Sequence, residues 1–100
     1  MKFKDLLTGL IRLHILHHAA EHEVYGQWII DELARHGYRL SPGTLYPLLN
    51  RMERLGWLRC TSDPEGGRRA RKDYRLTKEG QKILELIKAQ IRELHREVLS

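Results

Sequence analysis

Cysteine is nearly absent from this chain: Cys60 is the single one in 100 residues. One thiol excludes an intramolecular disulfide framework and cannot by itself build a thiolate zinc site. Such usage fits a reducing compartment. Long apolar runs are missing as well. Lys2 and Lys4 followed by Leu6 and Leu7 open like a signal peptide, but Arg12, His14, His17 and His18 interrupt the run, and no small-residue cleavage site follows. No segment is long and apolar enough to span a bilayer, so the expectation is a cytoplasmic protein with no membrane partner. The catalytic signatures are missing too: there is no Gly-rich phosphate loop, nucleophile elbow, paired apolar carboxylates or His-Glu metal motif. An enzyme and a cofactor are therefore not expected. Aromatic residues make up 7%, which leaves no stacking platform for unstacked RNA bases.

What is present is a basic, ordinary globular composition. Lys and Arg number 18 against 13 Asp and Glu, a net charge of +5 before the six His are counted. On charge alone DNA, RNA and anionic membranes all qualify as partners. A hydrophobic fraction of 41% with 31% charged residues supports a packed core, and the length suits one domain, not two.

Periodicity divides the chain into helices and a hairpin. From Lys4 to about His22, Leu6, Leu7, Leu10, Leu13, Ile15, Leu16, Ala19 and Ala20 recur at helical spacing over more than one stripe, so this helix should face its own domain and something else besides. Gly26 marks a break, Gln27 to about His36 a second helix, and Gly37 its stop. A third helix follows with Leu45, Leu48, Leu49, Met52 and Leu55 inward, closed by Gly56. Two starts are open for it. Ser41 as N-cap with Pro42 at the first position is one, but it leaves Pro47 inside the helix. A start at Thr44 is the other, with Pro47 in the first turn. Beyond Gly56, Trp57 to Thr61 and Asp73 to Leu76 read as two strands around the turn-rich tip Asp63-Pro64-Glu65-Gly66-Gly67. Thr77 then caps a long last helix in which Leu84, Ile87, Ile91, Leu94 and Val98 alternate three and four apart, a heptad seam.

Helix, helix, helix, hairpin is the winged helix-turn-helix order, so the expected fold is mainly α with a small β-hairpin and one long C-terminal helix. Residues 1–76 form the DNA-binding domain and 77–100 a dimerisation helix in the same compact unit. A helix fits the major groove, while a basic hairpin reaches adjacent phosphates. The third helix leaves Ser41, Thr44, Tyr46, Asn50 and Arg51 outward, with hydroxyls suited to phosphates and Asn or Arg suited to base edges. Arg68, Arg69, Arg71 and Lys72 place four positive charges on the returning arm of the wing. These nine residues are the DNA-contact candidates. Leu84, Ile87, Ile91, Leu94 and Val98 are the dimerisation candidates, since a heptad seam needs an apolar partner and helix one has apolar surface to offer. Folding back of the last helix on its own domain is the alternative.

The sequence also resembles a known family. Tyr25-Gly26, Ser41-Pro42-Gly43-Thr44-Leu45-Tyr46-Pro47-Leu48-Leu49, Arg51-Met52-Glu53-Arg54-Leu55-Gly56-Trp57-Leu58 and the stretch Gly67 to Gly80 are similar to the PadR family of bacterial transcriptional regulators. The resemblance covers nearly the whole chain. It implies a homodimeric repressor on a palindromic double-stranded operator, often near its own promoter and responsive to small aromatic or toxic compounds. The single C-terminal helix matches the compact subgroup, in which that helix packs across the dimer with helix one.

Four histidines crowd the end of helix one. His14, His18 and His22 follow i, i+4, i+8 and share a face, with His17 adjacent. His14 and His18 stand where the family commonly has leucine-like residues. They are candidates for a metal or pH sensor, against the simpler reading of surface and satisfied histidines and no bound metal. His36 and His95 look isolated. Trp57 reads as hairpin packing and Trp28 as core. The last helix carries no aromatic residue, which weakens the case for a flat aromatic effector held between paired C-terminal helices and leaves a small-molecule effector open. A winged-helix module that docks an acidic protein is the other reading of the basic wing.

Overall fold

A computed structural model describes residues 3–62 and 71–100. Among these residues the chain forms helix α1 (Phe3–Glu21), strand β1 (Val24–Tyr25), helices α2 (Gly26–Arg35) and α3 (Pro42–Arg54), strands β2 (Leu58–Ser62) and β3 (Lys72–Leu76), and helix α4 (Lys78–Val98). The expected class, mainly helical with a small antiparallel sheet, is the one observed. The sheet has three strands and not two: β1 pairs with β3, giving the order β1-β3-β2, all antiparallel. A two-residue strand is too short to leave a period in the sequence. It forms because Val24 lies opposite Tyr74 and is buried beside it.

Local chemistry sets the helix ends. His36 closes α2, Gly37 follows at φ 90°, and the Gly37 and Tyr38 amides donate to the Ala34 and Leu33 carbonyls. The end of α3 repeats this: Gly56 sits at φ 82°, and the Gly56 and Trp57 amides donate to the Glu53 and Met52 carbonyls. Both are Schellman closures, which need a left-handed residue that glycine adopts without a Cβ penalty. The two starts open for α3 resolve in favour of Ser41, whose Oγ accepts from the Thr44 amide at 3.3 Å, with Pro42 in the first turn. Pro47 thus lies inside the helix. It leaves the Gly43 carbonyl without an i+4 donor, but both residues are exposed and water can satisfy that oxygen.

The core lies between α1, α2, α3, the inner face of the sheet and the first half of α4. Ile15, Leu16, Leu33, Leu45, Leu49, Met52, Leu58, Tyr74 and Leu84 are all almost fully buried. Leu55, expected among the inward residues of α3, instead follows its last residue at the C-cap and is exposed. The phenol of Tyr74 has no nitrogen or oxygen partner among the described residues and lies beside the Cys60 thiol; burial pushes its pKa well above the usual tyrosine value.

Thr77 joins the wing to α4. Its Oγ1 accepts from the Gly80 amide at 2.9 Å and lies 2.5 Å from the Gly56 carbonyl oxygen, while its own amide donates to the Trp57 carbonyl at 3.0 Å. A Cβ at Gly80 would collide with that same Trp57 carbonyl, so α4 crosses the wing entry at a distance only glycine permits. From there α4 runs for 21 residues, about 31 Å at 1.5 Å per residue. It passes α1 and continues beyond the core, which explains principal extents of 52 × 28 × 23 Å.

Candidate nucleic-acid interface

Helix α3 is held on one side by Leu45, Leu49 and Met52, each wholly buried. At 100° per residue the opposite side is centred on Gly43, Pro47, Asn50 and Arg54, with Arg51 and Tyr46 flanking it. Ser41, Thr44, Tyr46, Asn50 and Arg51, picked out as outward residues, are all exposed. Tyr46 also has a structural contact. Its hydroxyl rests where a Cβ on Gly26 would stand, so it seats α3 on the first residue of α2. Arg54 belongs to the same outward face and was not among the candidates, although its place four residues after Asn50 is legible in the sequence. Asn50, Arg51 and Arg54 together can offer amide and guanidinium donors to base edges and phosphates.

The wing carries further cations. Lys72 opens β3 opposite Ser62 and is exposed. Arg71 is engaged within the chain: its Nε lies 3.2 Å from an Asp73 carboxylate oxygen, and its guanidinium stands 4.4 Å above the Tyr25 ring. Arg68 and Arg69 lie outside the described residues. Arg59 and Arg75, not singled out in the sequence, face each other across β2 and β3 on the exposed side, with Arg75 3.6 Å from Glu23. Like charges directly opposite repel, and an anion beside them relieves the repulsion.

The heptad positions of α4 divide into two sets. Leu84 is buried in the core of this chain and Ile87 partly so, which is the fold-back arrangement. Further along, Ile91 is 41% exposed, Leu94 57% and Val98 63%. On α1, Leu6 and Leu10 are exposed too, and a groove of about 260 Å³ between the helices is lined by Leu10, Leu13, His14, His17, Leu84, Lys88 and Ile91. The apolar faces of α1 and α4 thus form one continuous uncovered strip, larger than a stray surface leucine requires.

The histidine candidates regroup. His14 and His18 come together not with His22 but with His36, at the end of α2. His22 turns away: its ring meets the Trp28 edge at 4.9 Å and its Nδ1 contacts the Glu23 carbonyl. His36 looked isolated because helix pairing, not sequence spacing, brings it to helix one. His14 and His18 have pKa values lowered by burial, with neighbouring imidazoles adding to the effect. Trp28 and Trp57 both pack against the core. Burial pushes the Cys60 thiol up, so it is no ready nucleophile.

Residues 15–86 match the model of the transcriptional regulator PadR-like family. The transcriptional regulator Rv3488 of Mycobacterium tuberculosis is 53% identical over 96 residues, covering 96% of this chain and 89% of that protein. Among solved structures, a PadR-like transcriptional regulator from Bacillus cereus superposes with a TM-score of 0.81 at 30% identity, covering 94% of this chain and 92% of that one. A PadR family transcriptional regulator from Eggerthella lenta gives 0.76 at 34% identity, covering 95% and 87%.

Proposed function

This chain belongs to the PadR-like family of transcriptional regulators, and from that membership we propose that it acts as a homodimeric repressor on a palindromic operator. It is a regulator and not an enzyme. The observation that carries the proposal is the division of α3, with Leu45, Leu49 and Met52 sealed into the core and Asn50, Arg51 and Arg54 presented together on the exposed side. In this reading α3 enters the major groove with Thr44, Asn50, Arg51 and Arg54 toward the bases and phosphates. Ser41 and Tyr46 lie at the groove edge, and Arg68, Arg69, Arg71 and Lys72 of the wing reach the flanking backbone. The uncovered strip of Leu6, Leu10, Ile91, Leu94 and Val98 supports pairing of α1 and α4 with a second copy. A two-fold contact of that kind sets two α3 helices roughly one DNA turn, ~34 Å, apart. The dimerisation role falls mainly on Ile91, Leu94 and Val98, with Ile87 at its edge and Leu84 supporting from the core.

A cleft of about 360 Å³ lined by Leu7, Ile11, Tyr38, Leu40, Leu48 and Thr44 supports a small-molecule effector site, because Thr44 would tie its occupancy to the start of α3. No helix among the described residues is long and apolar enough to cross a membrane.

The test is fluorescence anisotropy against a labelled duplex from upstream of the protein's own gene, with a scrambled duplex at the same salt. Preference by ~10³-fold or more is expected of a specific regulator. Equal, salt-dependent binding to both duplexes refutes operator specificity. No binding at moderate salt favours the acidic-protein docking module.

A further inference from the structure

Three imidazoles from distant points of the sequence converge where α1 crosses the end of α2. One ligand nitrogen from each of His14, His18 and His36 lies within 4.8 Å of the others. A triangle of that size has a centre about 2.8 Å or less from every corner, against ~2.0–2.1 Å for a zinc–imidazole bond, so rotamer adjustments of about 0.7 Å complete the shell. Glu32 projects into the same place from α2. Its Oε2 stands 3.0 Å from the His36 Nε2 and 3.5 Å from the His18 Nε2. Its side chain is 16% exposed and that of His18 14%. The imidazoles are held in position by Tyr38, edge-on to His14 at 5.3 Å, and by Trp28, edge-on to His18 at 5.2 Å.

The His18 Nε2 atom is buried and has no hydrogen-bond partner among the described residues. A buried polar atom left unpaired is costly, and this one faces a carboxylate without sharing a proton with it. On the other side of the ring, Glu21 lies 3.6 Å from Nδ1. A carboxylate there favours the Nδ1–H tautomer, which leaves the Nε2 lone pair directed at Glu32 and His36. Two electron-rich groups facing each other across a gap are reconciled by a cation between them.

We propose that His14, His18, His36 and Glu32 form a divalent transition-metal site of zinc type that clamps α1 to the end of α2. Three imidazoles and one carboxylate are a donor set for a borderline cation and a poor one for calcium or magnesium, which take oxygen shells. Metals bind the neutral imidazole, the form in which its lone pair is free to coordinate. A second cluster, His17, His18 and Glu21, shares His18, but all three lie on one helix, and His17 and Glu21 are exposed. The cross-helix set is the better enclosed, and it bears on the loop from Gly37 to Leu40 that leads into α3.

The test uses full-length, tag-free protein stripped with chelator and titrated with Co²⁺, followed by Zn²⁺, without DNA. One Co²⁺ per chain with strong tetrahedral ligand-field absorption is expected, displaced by Zn²⁺, together with a raised thermal midpoint. His36→Gln and His14→Gln should each weaken binding at least ~10-fold, while His22→Gln leaves it unchanged. His36 is exposed, so its variant retains the fold. Absence of the absorption in the unaltered protein overturns the proposal. So does full affinity in His36→Gln with loss in His17→Gln, which would move the metal to the single-helix cluster. Neither outcome touches the DNA-binding reading, which is measured separately.

Discussion

Replacing Ile91 with Asp tests the proposed dimer apart from the fold. Ile91 keeps 41% of its surface exposed in the subunit, on the part of α4 that has passed the core. Full burial of such a side chain stabilises by ~1.5–3 kcal/mol, so covering the remaining surface contributes about 1 kcal/mol. A two-fold contact contains the residue twice, which makes about 2 kcal/mol. Two carboxylates pressed into an apolar seam add at least ~1–2 kcal/mol each in lost hydration. The sum, about 5 kcal/mol, corresponds to a dimer weakened by more than ~10³-fold at 1.4 kcal/mol per decade. Sedimentation velocity over a concentration series reads the shift directly, and operator affinity should fall with it. Far-UV circular dichroism should show an intact monomer, because Leu84 and the earlier turns of α4 still anchor the helix. Ala89→Asp, about 200° away around the helix, is the control and should leave the dimer intact. A dimer of undiminished affinity in Ile91→Asp would refute the assignment of this strip to the subunit contact.

Three further outcomes are expected. Arg68→Ala combined with Arg69→Ala should weaken binding to every duplex and reduce the salt slope by about 2 for each wing, about 4 for the proposed dimer, at close to 0.9 per phosphate contact; an unchanged slope removes the wing from the backbone. Gly80→Ala should lower the thermal midpoint although alanine is the better helix former by ~1 kcal/mol, since its Cβ meets the Trp57 carbonyl. A more stable variant would show that α4 can shift freely. Tyr74→Phe concerns alkaline stability. Burial raises the phenol's pKa above its ordinary value of about 10, so its contribution is whole below that pH and is lost as pH rises toward the folded value. The variant should therefore flatten the alkaline limb of midpoint against pH and change little at pH ~8. A fall of more than ~5 °C at that pH would mean the hydroxyl has a hydrogen-bond partner.

Much of the architecture was legible because its causes act within a few residues. Ser41 and Thr77 cap helices through their own hydroxyls, Gly37 and Gly56 end them through a left-handed φ, and the three-and-four spacing of Leu45, Leu49 and Met52 dictates which side of α3 is buried. Those interactions span one turn of chain, so the sequence alone determined the helices, the glycine stops of α2 and α3, the Thr77 start of α4 and the exposed face that carries Asn50 and Arg51. The start of α3 stayed open between Ser41 and Thr44 until the fold placed it. Other features depend on which elements meet. Val24 and Tyr25 become a strand because β3 lies beside them, Leu84 leaves the seam because α1 covers it, and Tyr46 is tethered because Gly26 leaves room for its hydroxyl. His36 joins His14, 22 residues before it, and His18, 18 residues before it, for the same reason. A periodic pattern states only that a face will be covered; what covers it is settled by packing in three dimensions, and only the tertiary structure decided that.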